Sequence, residues 1–255
     1  MNNWASYPSL KNRVVLITGG GSGIGAEHVI QFCRQGARVG FIDYNSKVSN
    51  ALVERLASVC AHAPEFLQAD LRDVGQVETV IAEFAERVGD VEVLLNNAAH
   101  DERHRLEDVT PEYFDERIAF NLRHLVFCAK AVAPGMKRRG GGSIINFGSF
   151  SWRIGSAGLP IYLTAKAGIE GLTKGLARDL GADGIRVNCV VPGWIMTGRQ
   201  LELWMDEEVK KRIIDMQCLK DLVQPSDVSR MALWLASDDS RMCTSQFFVV
   251  DGGWS

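Results

Sequence analysis

Arg13-Val-Val-Leu-Ile-Thr18 leads directly into Gly19-Gly20-Gly21-Ser22-Gly23-Ile24-Gly25, and that junction decides the fold. An apolar run of this length that ends in glycine reads as a strand buried on both faces. Glycine supplies torsions closed to other residues and lets the backbone approach a pyrophosphate, while the free N–H groups of the next helix meet its negative charge. A bare glycine cluster would fit any flexible loop; the strand before it and the helix after it give it meaning. A second apolar strand, Ala37-Arg-Val-Gly-Phe-Ile42, ends at Asp43, twenty residues after Gly23. At that distance a carboxylate reaches the adenosine ribose hydroxyls of a dinucleotide. It would repel a 2′-phosphate, and neither Ser22 nor Tyr44 offers a cation, so NAD is the expected cofactor. A simple strand-end turn is the other reading of Asp43.

Outward from this unit the pattern repeats. Helices are expected over about 46–60 and 74–88, with strands at Glu65–Ala69 and Val91–Leu95. Beyond them come a strand at 143–148, a helix from Pro160 to Leu180, a strand at Ile185–Val191, a helix from Pro225 to Ala236 and a strand at Phe247–Val250. Strands alternating with helices imply an α/β fold: one doubly wound domain over 1–255 with a parallel sheet of about seven strands and ligands outside the strand carboxyl ends. Asp43, Asp70, Asn97, Ser149 and Pro192-Gly193 each come after an expected strand. A long helix is expected from Thr110-Pro111 towards Lys137, disturbed around Pro134-Gly135, with Lys137-Arg138-Arg139 as positive charge at its end. Asn121 in mid-helix has no propensity reason to be there, so it is either a satisfied buried amide or a functional one. The segment 194–220 reads as a mobile helical lid over a substrate pocket, or as a surface helix pair using Trp204 and Met205 as core contacts.

Bulk properties narrow the function. A chain of 255 residues, 46% of them hydrophobic, can bury a large core, and a net charge of −3 leaves no electrostatic footprint for nucleic acid. Six cysteines without a Cys-x-x-Cys argue against a disulfide framework and against a thiolate metal site. Residues 1 to 12 lack a signal-peptide pattern and no apolar run approaches a membrane span, so a cytoplasmic location without a membrane partner is expected.

The chemistry is expected between Ser149 and Lys166. Tyr162 and Lys166 are four residues apart, so in a helix they share one face, and an ammonium beside a phenol favours the phenolate. That is the ordinary means of bringing a tyrosine, which titrates near pH ~10, into use as a base. An amphipathic helix pair is the other reading. Ser149, at a strand end, is free to hydrogen-bond a substrate oxygen. His100-Asp-Glu-Arg-His104 has two histidines at helical spacing but lacks the glutamate of the zinc-protease signature, so no metal is expected.

Taken jointly, Thr18-Gly-Gly-Gly-Ser-Gly-Ile-Gly25, Asn96-Asn-Ala-Ala99, Asn121, Ser149, Tyr162-x-x-x-Lys166 and Pro192-Gly193 with Thr197 resemble the short-chain dehydrogenase/reductase family from end to end. Ala99 departs from its usual glycine. A narrower likeness, through His100–His104, Asp115-Glu-Arg-Ile118, Asn121-Leu-Arg-His124 and Asn146-Phe-Gly-Ser-Phe-Ser-Trp152, is to bacterial aldose 1-dehydrogenases of the D-xylose-oxidising kind. The family resemblance implies a Rossmann fold and a catalytic set of Asn121, Ser149, Tyr162 and Lys166, with Asn121 anchoring a water. It implies a cofactor site at Gly19, Ser22, Gly23, Ile24, Asp43, Asp70, Leu71, Asn97, Tyr162, Lys166, Pro192, Gly193, Ile195 and Thr197. The narrower likeness implies a sugar substrate, expected against His100, Asp101, Ser149, Ser151, Trp152, Tyr162 and Trp194. Relatives are usually homotetramers built on the helices of 111–138 and 160–180 and the C-terminal strand. A carbonyl or 3-oxoacyl reductase of the same family, or a non-catalytic NAD-binding regulator, remains open on these residues.

Overall fold

The sheet arises from where each apolar run sends its side chains. In the computed structural model, which describes residues 4–255, seven strands form one sheet: β1 Val14–Thr18, β2 Arg38–Asp43, β3 Glu65–Gln68, β4 Val93–Asn96, β5 Gly142–Phe147, β6 Ile185–Pro192 and β7 Phe247–Val250. Their spatial order is β3-β2-β1-β4-β5-β6-β7 and all pairings are parallel. The order reverses between β1 and β4, which opens a crevice at their carboxyl ends.

Successive residues of β1 alternate between two cores. Val15 and Ile17 pack with Val29 and Phe32 of α1 (Gly23–Arg34), with Leu52 and Leu56 of α2 (Ser46–Ala57), and with Val228, Ala232 and Leu235 of α9 (Pro225–Ala236). Val14 and Leu16 face the opposite layer, where Val77, Ile81 and Phe84 of α3 (Val74–Val88) meet Cys128, Val132 and Met136 of α5 (His124–Arg138) and Ala177 of α6 (Pro160–Leu180). Both faces of the sheet are thus covered, as the continuous apolar runs of the strands require. All six cysteines are free thiols.

Two expected features differ in detail. The helix that starts at Thr110, whose side chain caps it by accepting from Tyr113 N at 3.2 Å, is α4 (Pro111–Ile118). It is interrupted at Ala119–Arg123, where one π-helical turn joins it to α5, whereas Pro134 lies inside α5 without ending it. The disturbance therefore sits at Asn121 and not at Pro134-Gly135. A π turn inserts one extra residue and rotates the next stretch of helix, so it occurs where a side chain has to be aimed. The segment 194–220 forms two short helices, α7 (Gly198–Trp204) and α8 (Glu207–Met216). Trp204 is 41% exposed and serves as no core contact. Ile213 of α8 is the fully buried anchor of this pair.

Among the described residues no helix is long and apolar enough to cross a membrane, and no group of three or more His, Cys, Asp or Glu is arranged to hold a metal ion.

Candidate active site

The glycine turn shapes one end of the crevice. Gly19 holds φ at +66°, and a Cβ on Gly25 would lie 1.8 Å from the Gly19 carbonyl oxygen, so no side chain fits where α1 crosses the turn. Ser22, the N-cap of α1, makes no side-chain cap bond, and Gly23, Ile24 and Gly25 of the first turn line the crevice. Asp43, at the end of β2, accepts from Gly21 N and Asn45 N, each at 2.9 Å. Its carboxylate is fixed there, and Tyr44, Asn45 and Val48 complete that part of the wall with no cation among them. Asn97 closes the turn from β4 by donating to the Thr18 and Gly19 carbonyls at 3.0 and 3.3 Å. Asp70 is clamped by Arg72 at 2.7 Å, which holds its pKa below the usual carboxylate range.

The crevice is a cavity of about 870 Å³, large enough for a dinucleotide and a small substrate. It unites nearly all of the expected residues: Gly19, Ser22, Gly23, Ile24, Asp43, Asp70, Leu71, Asn97, His100, Asp101, Ser149, Ser151, Tyr162, Lys166, Pro192, Gly193, Trp194, Ile195 and Thr197. The cradle of Gly19, Gly23 and Gly25 and the open helix start fit a pyrophosphate.

Two expected residues stand outside this wall. Trp152 points away and donates from Nε1 to Glu170 Oε1 at 3.2 Å, with the Arg153 guanidinium 5.6 Å over its ring. Asn121 is fully buried; it accepts the His100 N–H at 2.8 Å and donates to the Arg117 carbonyl at 3.0 Å. Its two bonds pin the backbone of the substrate-side loop.

At the centre, Pro160 starts α6 at its first position and Tyr162 and Lys166 come onto one face, with Nζ 5.6 Å from the phenol ring centroid. Lys166, 3% exposed, donates to the Phe147 carbonyl at 2.7 Å, and burial pulls its pKa down to about 8. Ser149 caps a short turn by accepting from Ser151 N at 3.1 Å, and its hydroxyl lies beside the phenol. The Tyr162 phenol is pushed well above its ordinary value, first by burial and then by the Asp101 carboxylate, while Ser149 and Arg199 pull it back in part. Lys166 Nζ lies over the ring face, and its hydrogen bond goes to the Phe147 carbonyl.

The substrate side has members that the sequence did not announce. Asp101 pairs with Arg199 and accepts from Gln200 Nε2 at 3.1 Å, tying the His100–His104 loop to α7. Arg103 stacks on Trp204 at 4.7 Å across the same gap. Trp254 stacks on Trp194 with centroids 6.4 Å apart, and the Trp194 Nε1 is buried without a partner among the described residues. Arg199 carried no signal of its own within a segment of mixed charge. The aromatic C-terminus holding Trp254 was the available clue.

The chain matches the family model described as "Enoyl-(Acyl carrier protein) reductase" over residues 19–255. It is 52% identical to D-xylose 1-dehydrogenase of Caulobacter vibrioides over 250 residues, 98% of each chain. It is 50% identical to "Probable galactose dehydrogenase GalD" of Rhizobium meliloti over 249 residues, 98% of this chain and 97% of that one. A short-chain type dehydrogenase/reductase from Mycobacterium ulcerans superposes with a TM-score of 0.91 at 25% identity, covering 98% of this chain and 91% of the other. Sequence matches that span the whole chain, together with the glycine cradle and the Ser149-Tyr162-Lys166 grouping, lead to one conclusion: the chain belongs to the short-chain dehydrogenase/reductase family.

Proposed function

We propose that the protein oxidises the anomeric C1–OH of an aldose with NAD+ and releases the aldonolactone. The observation that carries this reading is one cavity in which Ser149, Tyr162 and Lys166 meet a polar rim of His100, Asp101, Ser151 and Arg199. A polyol needs hydrogen-bond partners for each hydroxyl it desolvates, and the apolar face of a sugar packs on rings such as those of Trp194 and Trp254. The relatives at 52% and 50% identity, named for xylose and galactose, support an aldose over other alcohols.

In this mechanism Ser149 hydrogen-bonds the C1 oxygen and Tyr162 takes its proton as the C1 hydride departs with its electron pair, leaving a C1=O bond. Bound at the glycine turn, NAD+ would supply the hydride acceptor and a positive charge near the phenol. Gly19, Ser22, Gly23 and Ile24 would hold the pyrophosphate, with Asp43 at the adenosine ribose, Asp70, Leu71 and Asn97 beside the adenosine half, and Pro192, Gly193, Ile195 and Thr197 at the nicotinamide. Lys166 would hold the nicotinamide ribose. The Asp43 carboxylate, with no cation beside it, favours NAD over NADP. Asn121 would anchor a water linking Lys166 to solvent while its side chain pins the His100 backbone, and 194–220 acts as the substrate lid. A cytoplasmic location belongs to the same reading, and a homotetramer is supported by exposed Phe114, Val126 and Val249 on the elements that the family resemblance assigns to subunit contact.

The test is NADH formation over xylose, arabinose, galactose, fucose, glucose and rhamnose, with NAD+ and NADP+ in parallel. Oxidation of at least one aldose with NAD+ is expected, and Tyr162→Phe should lower it by at least about a hundredfold. Turnover confined to NADPH and apolar ketones would replace the aldose with a carbonyl substrate, and binding of NAD without turnover on any alcohol would indicate a regulator.

A further inference from the structure

Behind the His100–His104 loop lies an arginine to which neither the sequence nor the mechanism assigns a task. Arg117 is 7% exposed, and its Nη1 lies 2.9 Å from His100 Nδ1 and 3.0 Å from Glu102 Oε2. A guanidinium has five N–H donors and no acceptor. In this contact His100 Nδ1 is the acceptor, which places the ring proton of the neutral imidazole on Nε2; Glu102 Oε2 also lies 3.5 Å from Nδ1 but is held closer by Arg117, at 3.0 Å. The Nε2 nitrogen has no hydrogen-bond partner among the described residues, and His100 lines the cavity with its side chain 39% exposed.

The arrangement is braced on every side. Arg117 Nη2 meets Glu116 Oε2 at 3.1 Å, Glu116 Oε1 takes Arg72 at 2.5 Å, and Arg72 holds Asp70. Asn121 ties the backbones together, since its Oδ1 accepts from His100 N while its Nδ2 donates to the Arg117 carbonyl. The π turn that sets Asn121 therefore also sets the distance between the imidazole and the guanidinium. Phe120 closes the ring from its edge at 6.0 Å.

We propose that Arg117 is a positioning residue: by occupying His100 Nδ1 it fixes the imidazole as an Nε2–H donor, and this donor hydrogen-bonds an acceptor oxygen of the sugar. The second half of the proposal rests on the aldose reading; the first does not. Burial and the positive charges of Arg199 and Arg117 lower the His100 pKa, while Glu102 and Asp101 raise it less. The ring thus stays neutral at pH 7 and keeps one donor.

Two measurements test it. In the full-length protein labelled with 15N at histidine, long-range 1H–15N spectra should show His100 as the Nε2–H tautomer at pH 7, assigned by the signal lost in His100→Gln. In kinetics with the best aldose, His100→Leu should raise its KM about tenfold, the loss expected of one hydrogen bond to a desolvated group. His100→Gln, which keeps an N–H donor, should recover to within about threefold of the wild type, and the KM for NAD+ should move less than about twofold in both. Arg117→Leu should shift the tautomer balance and raise the aldose KM, with Arg117→Lys intermediate. Should Arg117→Leu fail to fold, the two His100 variants and the wild-type spectrum decide the matter. An Nδ1–H tautomer overturns the role of Arg117, and an unchanged aldose KM in His100→Leu overturns the donor role. A wild type inactive on every aldose removes the sugar and the proposed function together, which is distinct from either result.

Discussion

Tyr162 and Lys166 show how burial competes with charge at a single pair of residues. Removing both from water raises the phenol and lowers the amine. Each shift opposes the charged form that proton transfer uses. For Lys166 the folded pKa of about 8 lies below its ordinary value of 10.5, so its contribution to stability is present above pH 10.5 and is lost as pH falls through about 8. The loss is on the order of 3 kcal/mol. Lys166→Met should therefore flatten the dependence of stability on pH between 7 and 10.5 while abolishing turnover. Urea midpoints at both ends of that window measure it; a wild-type midpoint that does not rise with pH relative to the variant would show that Lys166 is not held in a desolvated state. The sequence disclosed that these two residues share a face. It could not disclose the upward push on the phenol, because that comes first from burial and then from Asp101, sixty-one residues away in the chain.

At the level of elements, the helix from Pro111 to Arg138 and the segment 194–220 were legible in outline and not in detail. Thr110-Pro111 announces a helix start, and the apolar positions of α5 announce its buried face, but nothing local announces a π turn at Ala119–Arg123. That turn is tied to a distant loop by one tertiary bond, in which His100 N–H donates to Asn121 Oδ1. Helix α7 shows the opposite condition: it is short, buries no residue fully, and is held by its Thr197 cap and by Asp101 through Arg199 and Gln200. Exposed ion pairs contribute little, up to about 1 kcal/mol. Asp101→Ala should accordingly speed hydrogen exchange in 198–204 by about fivefold while leaving β1, β4 and β5 unchanged. Equal exchange in both proteins would show that the loop does not restrain α7.

For the whole molecule, the reversal of strand order between β1 and β4 creates the crevice, and every cofactor contact proposed above lies along it. A ligand bound there stabilises the fold by mass action, about 2.7 kcal/mol at a hundred times its Kd. For a chain of 255 residues this predicts a Tm rise of roughly 5–10 °C with saturating NAD+, and a much smaller one with NADP+ at the same concentration. Equal shifts would remove Asp43 as the discriminating residue. The sequence by itself determined the doubly wound sheet, the glycine cradle and the pairing of Tyr162 with Lys166. Each of these depends on spacing within a strand, a turn or a helix, where chain neighbours set the geometry. Only the tertiary structure decided that Asn121 braces a loop, that Trp152 turns to Glu170, that Arg117 backs His100, and that the phenol is pushed upward. Desolvation and pairing depend on which distant residues packing brings within a few ångströms, and the order of residues along the chain does not contain that information in readable form.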